Sequence, residues 1–479
     1  MDEAHTIEES ATSFFSEGFS RLSVFRQLGR LYRRRRSVKK GLLFRLLSLL
    51  PGTLNGSKED SIEEKVNQIR NAMDSLDEAG LDLCGGDGVF RLTPQKETIV
   101  RDRLSPGFIS LRKHLNLFAS LARELLDDVP EENADDPVVW ELRSSLRRLD
   151  TVASVCTSFL EYKENQDKVM WIERRSGSSK NSSKNREAPW AVFNVTPIDV
   201  APYLKEALFE PNKTVVCVSA TLTIPGSGRN DTTGNSACSF DYWMMRSGLG
   251  LVPEREILTG IFPSPFPYQS RVLLAAPENA PLPTEAGYGV FVDMAAASLA
   301  EVAGGSALVL FTSYQALKSA YDAALPVLQK LDIRVLKQGD DDRNHLLADF
   351  LKDEKSVLFA TDSFWEGVDA PGDTLRLVIL CRLPFRSPND PVFEARCEAI
   401  EVDGGSAFMD LSLPEAVMKF KQGFGRLMRR SSDHGIVAVL DGRLLRKPYG
   451  RFFLSSLPET KTCFEDMETI LRAVERFLY

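Results

Sequence analysis

The chain lacks three features that would each place it in a special class of protein. No stretch approaches the ~18 uninterrupted apolar residues of a membrane-spanning helix, and the acidic start lacks the basic-then-apolar order of a signal peptide. Its seven cysteines are odd in number and never spaced as CxxC, which argues against a disulfide scaffold and a zinc ribbon. We therefore expect a soluble, cytoplasmic protein with no membrane partner.

An excess of positive charge is also missing. Against 59 lysines and arginines stand 67 acidic residues, giving a formal net charge of -8, so any nucleic acid must be bound through local basic patches. One such patch is RLSVFRQLGRLYRRRRSVKK, in which Arg33, Arg34, Arg35 and Arg36 are candidate contacts to a phosphate backbone. A solvated helix face or a hinge is an equally good interpretation of this run.

The hydrophobic periodicity divides the 479 residues into a helical part and an α/β part. Residues 10–168 repeat apolar positions at helical spacing, in the sets Ile62, Val66, Ile69, Met73, Leu76; Phe108, Leu111, Leu115, Phe118, Ala122, Leu125; and Val139, Leu142, Leu146, Leu149, Cys156. The polar run RSGSSKNSSKNRE predicts a mobile loop. Beyond it, the apolar runs TVVCV, ALVLF, SVLFA, LRLVIL and GIVAVL alternate with helical stretches, which predicts an α/β fold with a parallel sheet covered on both faces.

Two motifs, one before and one after the helical part, contain candidate functional residues. The letters DEAH place Asp2 and Glu3 side by side, as in carboxylate pairs that hold a metal beside a nucleotide phosphate. A solvated acidic tail is the alternative. VSATLT follows the predicted strand TVVCV and places Ser219, Ala220 and Thr221 at its carboxyl end, where α/β sheets bind ligands. A turn or a helix cap is the alternative there.

Two further motifs lie in the α/β part. ATDSFWEGVDAPG follows strand SVLFA and is either a functional loop or an acidic loop with a Pro-Gly turn. In QGFGRLMRR, Gln422, Gly425, Arg426 and Arg429 have helical spacing, which predicts one face with two guanidiniums and an amide. A guanidinium is a planar, permanently charged group that stabilises charge on a transferring phosphoryl group. A solvated basic helix face is the alternative and would have the same spacing.

Taken in order, DEAHTIEES, VSATLT, LFTSYQAL, LFATDSFWEGVDAPG, RLPFRSPNDP and QGFGRLMRRSSDHG resemble motifs II to VI of the DinG/XPD-type branch of superfamily 2 helicases. This resemblance covers nearly the whole chain and implies RecA-like domains that bind ATP, with an all-helical arch inserted between motifs II and III. The implied domains are a remnant of the first RecA-like domain at 1–9, the arch at 10–168, the rest of the first domain at 169–260 and a complete second domain at 261–479.

The resemblance also assigns roles to single residues. Asp2 would hold Mg²⁺ and Glu3 would orient the attacking water, while Gln422, Arg426 and Arg429 would reach the nucleotide, with Arg429 as the arginine finger. The remaining implied roles are nucleotide contact for Gly367 and Asp369, coupling of nucleotide to strand for Glu366, Ser219, Ala220 and Thr221, and contact with the sugar-phosphate backbone for Thr312 and Ser313.

One departure from this pattern limits what the chain does alone. The sequence contains no Gly-Lys pair and hence no GxxxxGK[ST] phosphate-binding loop, and the four cysteines of an iron–sulfur cluster would by family order precede DEAH. We therefore expect the carboxyl-terminal portion of an ATP-dependent DNA helicase that moves 5′ to 3′, without an iron–sulfur cluster. Its expected partners are single-stranded or forked DNA and a separately encoded amino-terminal half with the Walker A loop. A non-catalytic nucleic-acid-binding or regulatory fragment is the alternative, and a nuclease-type relative a more distant one.

Overall fold

The structure is a computed structural model that describes all residues except 36–37, 51–56, 86–87, 177–187, 226–237, 362–363, 366–369 and 371. Two compact units make up the chain. The α/β unit consists of residues 1–7, 201–390 and 397–479, and the helical unit consists of residues 8–200 and 391–396. The predicted mobile loop, RSGSSKNSSKNRE, lies almost entirely outside the described residues.

Amphipathic helices dominate the helical unit, and they bury the apolar faces that the periodicity predicts. All of the apolar positions predicted to share helix faces are buried in one core. The helices are α1 (Ile7–Phe15), α2 (Arg21–Leu31), α3 (Leu42–Leu47), α4 (Ser57–Cys84), α5 (Glu97–Arg103), α6 (Ser105–Asp127) and α7 (Pro137–Leu160). Side-chain caps fix two of their starts, because Ser20 accepts a hydrogen bond from the Ser23 amide and Asp136 from the Val138 amide.

The same unit also contains strands, so the prediction of an all-helical insertion needs correction. Its strands are β1 (Glu17–Ser20), β2 (Arg33–Arg35), β3 (Val38–Lys40), β4 (Val89–Arg91), β5 (Lys168–Arg175) and β6 (Trp190–Pro197). Four of them form an antiparallel sheet in the order β1-β6-β5-β4, and β2 pairs with β3 as a separate ribbon. Periodicity missed β1 and β4 because they are short and pair with strands distant in the sequence.

A parallel sheet of seven strands forms the centre of the α/β unit, in the order β11-β12-β10-β13-β14-β9-β15. Its strands, together with the small antiparallel pair β7 and β8, are β7 (Ile224–Pro225), β8 (Cys238–Ser239), β9 (Val272–Ala275), β10 (Ala307–Leu310), β11 (Arg334–Lys337), β12 (Ser356–Ala360), β13 (Leu377–Leu380), β14 (Gly435–Val439) and β15 (Lys461–Cys463). Four of the predicted apolar runs are confirmed as strands here, and they are β10, β12, β13 and β14.

Helices cover both faces of this sheet, as the fully apolar strands require. Along β10, Leu308 and Leu310 enter one hydrophobic core while Ala307 and Val309 enter the other. The helices of the unit are α8 (Ala201–Leu204), α9 (Asp241–Ser247), α10 (Tyr268–Arg271), α11 (Tyr288–Val302), α12 (Tyr314–Gln329), α13 (Arg343–Lys352), the second half of α14 (Pro391–Val402), α15 (Leu413–Phe424), α16 (Arg443–Arg446), α17 (Gly450–Ser455) and α18 (Met467–Leu478). Among the described helices, none combines the length and the apolar character needed to cross a bilayer.

The predicted strand TVVCV, at 214–218, is wrong. These residues have no regular secondary structure, and Val216 and Val218 are 63% and 56% exposed. The physical reason is the lack of neighbouring strands in the described part of the unit. The backbone of this segment is bonded instead to residues at the start of the chain, where the Val218 amide donates to the Met1 carbonyl at 2.9 Å.

Candidate functional site

A hydrogen-bonded cluster joins DEAH to VSATLT, although more than 200 residues separate the two motifs in the sequence. Nδ1 of His5 lies 2.7 Å from Oγ of Ser219 and 3.2 Å from Oε2 of Glu3. The Ser219 hydroxyl also donates to Oε2 of Glu3 at 3.3 Å and accepts from the Thr221 amide at 3.3 Å. The structure thus brings together Glu3, Ser219 and Thr221, which the sequence selected separately, and adds His5.

Backbone contacts hold this cluster in place. The Ala4 amide donates to the Val218 carbonyl at 3.0 Å, and the buried indole of Trp243 on α9 donates to the Ala4 carbonyl at 2.9 Å. Glu3 itself has a left-handed backbone, with φ of 48° and ψ of 42°, which is uncommon for a residue with a side chain. Packing around Ala4, Leu222 and Trp243 stabilises this turn and so fixes the backbone position from which the Glu3 side chain extends.

Asp2 is the candidate ligand for Mg²⁺. Its side chain is exposed, and its Oδ1 accepts a hydrogen bond from the Glu3 amide at 3.0 Å, so the carboxylate is oriented by its neighbour. Among the described residues there is no group of three His, Cys, Asp or Glu side chains that could hold a metal alone. Asp2 alone therefore fits a Mg²⁺ site of the kind found beside nucleotides, where one or two carboxylates bind the ion and phosphate oxygens and water complete its coordination.

The carboxyl ends of neighbouring strands form a second candidate region. Thr312 and Ser313 follow β10, and the Ser313 hydroxyl accepts a hydrogen bond from the Ala316 amide, which caps α12. Next to them, Thr361 follows β12 and Gln338 follows β11. Oε1 of Gln338 accepts hydrogen bonds from the Thr361 amide at 2.6 Å and from its hydroxyl at 3.0 Å. Gln338 therefore fixes the start of the loop ATDSFWEGVDAPG.

The predicted helical face of Gln422, Arg426 and Arg429 needs correction, because α15 ends at Phe424. Gly425 caps the helix by donating its amide to the Lys421 carbonyl at 2.9 Å. The two arginines lie beyond this end, in turns, and both are half-buried. Residues 425–433, which we call the arginine loop, thus present the guanidiniums from a folded loop rather than from a helix face.

Two contacts tie the arginine loop and α15 to the loop ATDSFWEGVDAPG. Gly423 packs against the buried Trp365, and a Cβ added at Gly423 would lie 2.7 Å from Cζ3 of that indole. The buried Asp433 carboxylate accepts hydrogen bonds from three backbone amides, those of Gly372 at 3.1 Å, Arg429 at 2.9 Å and Arg430 at 2.7 Å. Asp433 therefore fixes the backbone that carries Arg429.

Two further contacts define the surroundings of this loop. The Lys421 ammonium donates to the Thr223 carbonyl at 3.1 Å, which connects α15 with the segment that follows VSATLT. Burial raises the pKa of Tyr268, and the nearby positive charge of Arg429 partly opposes that rise. The Tyr268 ring lies 5.7 Å from the Phe424 ring, so Tyr268 forms part of the wall beside Arg429.

Other predicted residues are placed differently or lie outside the description. Glu366, Gly367 and Asp369 fall among the residues that the structure does not describe, as does Arg36. The basic run containing Arg33, Arg34 and Arg35 is not one continuous helix. Its second half is the ribbon of β2 and β3, because α2 ends at Leu31 and the chain turns into extended structure at Tyr32.

Sequence reasoning missed several residues that organise these regions, chiefly Trp243, Gln338 and Asp433. Each acts on backbone groups of another segment, so its own neighbours in the sequence carry no periodic signal. For Asp433 a hint exists, because it lies in the polar run RRSSDHG, and Asp side chains in turns commonly accept hydrogen bonds from nearby backbone amides.

Comparison with known proteins shows similarity to helicases. Residues 296–460 match the model of the helicase C-terminal domain. The chain is 36% identical over 311 residues to the ATP-dependent helicase DinG of Mycobacterium tuberculosis (strain ATCC 25618 / H37Rv), covering 64% of this chain and 43% of that protein. It is also 36% identical over 264 residues to the ATP-dependent DNA helicase YoaA of Escherichia coli (strain K12), covering 55% and 38% respectively.

A solved structure of S. tokodaii Xpd4 covers 96% of this chain and 74% of its own, at 16% identity and a TM-score of 0.48. The chain spans less than half the length of the two curated relatives. The matched C-terminal helicase domain lies within the seven-stranded parallel sheet and its helices, and the aligned identity extends well beyond it. Residues 296–460 thus match a helicase C-terminal domain, and the chain is similar to DinG and YoaA helicases over more than half of its length.

Proposed function

We propose that this chain is part of an ATP-dependent DNA helicase, in which ATP hydrolysis drives 5′ to 3′ movement along a single strand and unwinding of forked DNA. The observation that carries the proposal is the cluster of Glu3, His5, Ser219 and Thr221, since it links a carboxylate pair to a second motif by direct hydrogen bonds. A solvated acidic tail would not be held by a buried indole and by backbone bonds to a distant segment.

In this proposal each site residue has a separate task. Asp2 holds Mg²⁺, which when bound neutralises charge on the nucleotide phosphates. Glu3 orients the attacking water, and its geometry allows this, because a carboxylate has about four acceptor positions and the Ser219 bond uses one. Gln422, Arg426 and Arg429 contact the nucleotide, and Arg429 acts as the arginine finger.

The remaining predicted roles are part of the same proposal. Thr312 and Ser313 meet the sugar-phosphate backbone from the carboxyl end of β10. The undescribed Gly367 and Asp369 contact the nucleotide. Glu366 and the motif III residues Ser219, Ala220 and Thr221 couple nucleotide hydrolysis to movement on the DNA strand. The hydrogen bond from Lys421 to the Thr223 carbonyl supports a connection between motif III and α15. A cytoplasmic location and a role in DNA repair follow from this proposal.

A phosphate-binding loop has to come from residues outside these 479, because the sequence contains no Gly-Lys pair. Exposed apolar side chains of the α/β unit support a docking surface for such a segment. Val216 and Val218 are more than half exposed, and Leu258 and Phe262 are 87% and 88% exposed. We propose that strands of the segment with the Walker A loop, in the same polypeptide or a separate one, cover these side chains.

The experiment measures Mg²⁺-dependent ATP turnover by the 479-residue chain, with and without a single-stranded oligonucleotide. We expect no stimulated turnover by the chain alone, since no loop of backbone amides and lysine holds the β- and γ-phosphates. Adding the amino-terminal portion of a DinG relative, which carries the Walker A loop, should produce DNA-stimulated turnover. The Glu3→Gln variant in the same mixture should abolish it.

The alternative function, a non-catalytic nucleic-acid-binding or regulatory fragment, is favoured by the missing phosphate loop. The same experiment separates the two. Retained binding of the oligonucleotide with no turnover in any mixture would support the alternative. Stimulated turnover by the chain alone that disappears in Glu3→Gln would show that these residues assemble a working site without the added segment.

A further inference from the structure

The ribbon of β2 and β3 carries an unfavourable arrangement of charge. Across its two strands Arg33 is directly opposite Lys40, and Arg34 is directly opposite Lys39. Like charges at directly opposite positions of an antiparallel pair destabilise it. The stability of the ribbon therefore does not explain these residues, and an anion bound between them would.

The two faces of the ribbon differ, because successive side chains of a strand point to opposite sides. On one face Arg34 donates to both carboxylate oxygens of Glu63 on α4, at 2.8 and 3.0 Å. The Tyr32 hydroxyl donates to the same carboxylate at 2.9 Å, and the bond from Arg34 holds the pKa of Glu63 below its ordinary value. Arg34 thus already has its anion inside the protein.

On the other face the charge is uncompensated. Arg33 and Lys40 are both exposed, and within the described part of the chain neither has an ion-pair partner. Directly opposite residues of an antiparallel pair have Cα atoms ~4.5–5.5 Å apart, so the two cationic heads can meet at a single anionic group. A guanidinium offers a planar fork and an ammonium a point charge, and both are suited to phosphate oxygens.

We infer that Arg33 and Lys40 form a binding pair for the phosphate backbone of single-stranded DNA, while Arg34 is a structural residue that anchors the ribbon to α4. This inference rests on the proposed function, which supplies the single strand. It differs from the prediction made from the run RRRR alone, because it brings in Lys40 and excludes Arg34. Contact through phosphates implies that binding here is independent of base sequence.

The test measures the affinity of the full chain for an oligo-dT at salt concentrations from about 50 to about 200 mM, where phosphate contacts change affinity strongly. Each phosphate contact to a single strand contributes a slope of about -0.7 in log K against log salt, so two contacts contribute ~1.4. Raising the salt from about 50 to about 200 mM lowers the affinity of both proteins. The factor by which it falls should be ~7 times smaller for the double variant Arg33→Gln/Lys40→Gln than for the wild type. Arg34→Gln should keep the wild-type slope.

A matched control is Arg147→Gln/Arg148→Gln, which removes two exposed arginines of α7 in the same unit and should leave the slope unchanged. The thermal midpoint of Arg33→Gln/Lys40→Gln should equal or exceed that of the wild type, because the opposed charges are gone. Wild-type binding with an unchanged slope in that variant, or equal flattening in the control, overturns the inference and leaves the proposed function standing. Absence of any oligonucleotide binding by the wild type refutes both.

Discussion

Replacing Asp433 by alanine is the sharpest test of how the arginine loop is held. Its carboxylate is buried, and it accepts one hydrogen bond from the Gly372 amide and two from the amides of Arg429 and Arg430. Asp433→Ala leaves those three donors without their acceptor. We therefore expect the loop to lose its fixed position while the sheet beneath it stays folded.

The magnitude follows from the number of donors. A hydrogen bond contributes ~0.5–1.5 kcal/mol net, and ~1.5–3 kcal/mol when one partner is charged, so losing three costs about 3 kcal/mol or more, and values above ~5 kcal/mol are exceptional for one substitution. A tenfold change corresponds to ~1.4 kcal/mol, so local opening of residues 425–433 should become ~100-fold more frequent or more. Asp433→Asn should have an intermediate effect, because its single oxygen can serve Gly372 or the arginine amides but not both.

Hydrogen exchange measured by mass spectrometry, on peptides covering residues 425–433, reports this opening directly. Asp373→Ala is the matched control, since it removes an exposed carboxylate adjacent to Gly372. Exchange in Asp433→Ala that is within about threefold of the wild type, where the donor count predicts ~100-fold, would refute the reasoning. So would equal acceleration in Asp373→Ala, because the effect would then follow from net charge.

Two other predictions concern activity and pH. In the reconstituted mixture Arg429→Ala should lower DNA-stimulated turnover by ~10³-fold or more with little change in oligonucleotide affinity, and near-normal turnover would reject its role as arginine finger. Burial raises the pKa of Asp77 despite its bond from the Ala191 amide and its ion pair with Arg21. Because the folded pKa lies above the unfolded one, this contribution to stability is fully present below about pH 4 and lost as the pH rises through the folded value. The free energy of unfolding of Asp77→Asn, measured in urea, should therefore rise relative to that of the wild type as the pH increases above about 4, and a difference that stays constant would contradict the assignment.

The spacing of apolar residues along the sequence predicted the helices and strands whose buried faces are defined by their own sequence. The faces of α4, α6 and α7 could be read from apolar residues at helical spacing, because each helix buries the stripe that its own sequence defines. Apolar runs predicted β10, β12, β13 and β14 for the same reason. The run at 214–218 has the composition of a strand, but a strand needs neighbours for its backbone groups, and composition does not show whether they are present.

The candidate site was predictable as a set of motifs but not as a geometry. Glu3 and Ser219 could be selected from the order of motifs, and the structure brings them within hydrogen-bond distance. Helical spacing misplaced Arg426 and Arg429, because Gly425 ends α15 before them. A spacing of three or four residues indicates a shared face only while the helix continues, and a glycine at that point is a common end signal.

Two polar side chains of the α/β unit show how its loops are positioned. Asp433 bonds to three backbone amides and Gln338 to one amide and one hydroxyl, so both act on loops and neither depends on a nucleotide. A loop fixed through its backbone keeps its position while its side chains reach outward to a ligand. Arginines placed this way stabilise developing charge without reorganisation at the moment of reaction, which is the condition for a large electrostatic effect. DNA-stimulated turnover in the reconstituted mixture should therefore fall in Asp433→Ala, although the contacts of Asp433 are with backbone amides.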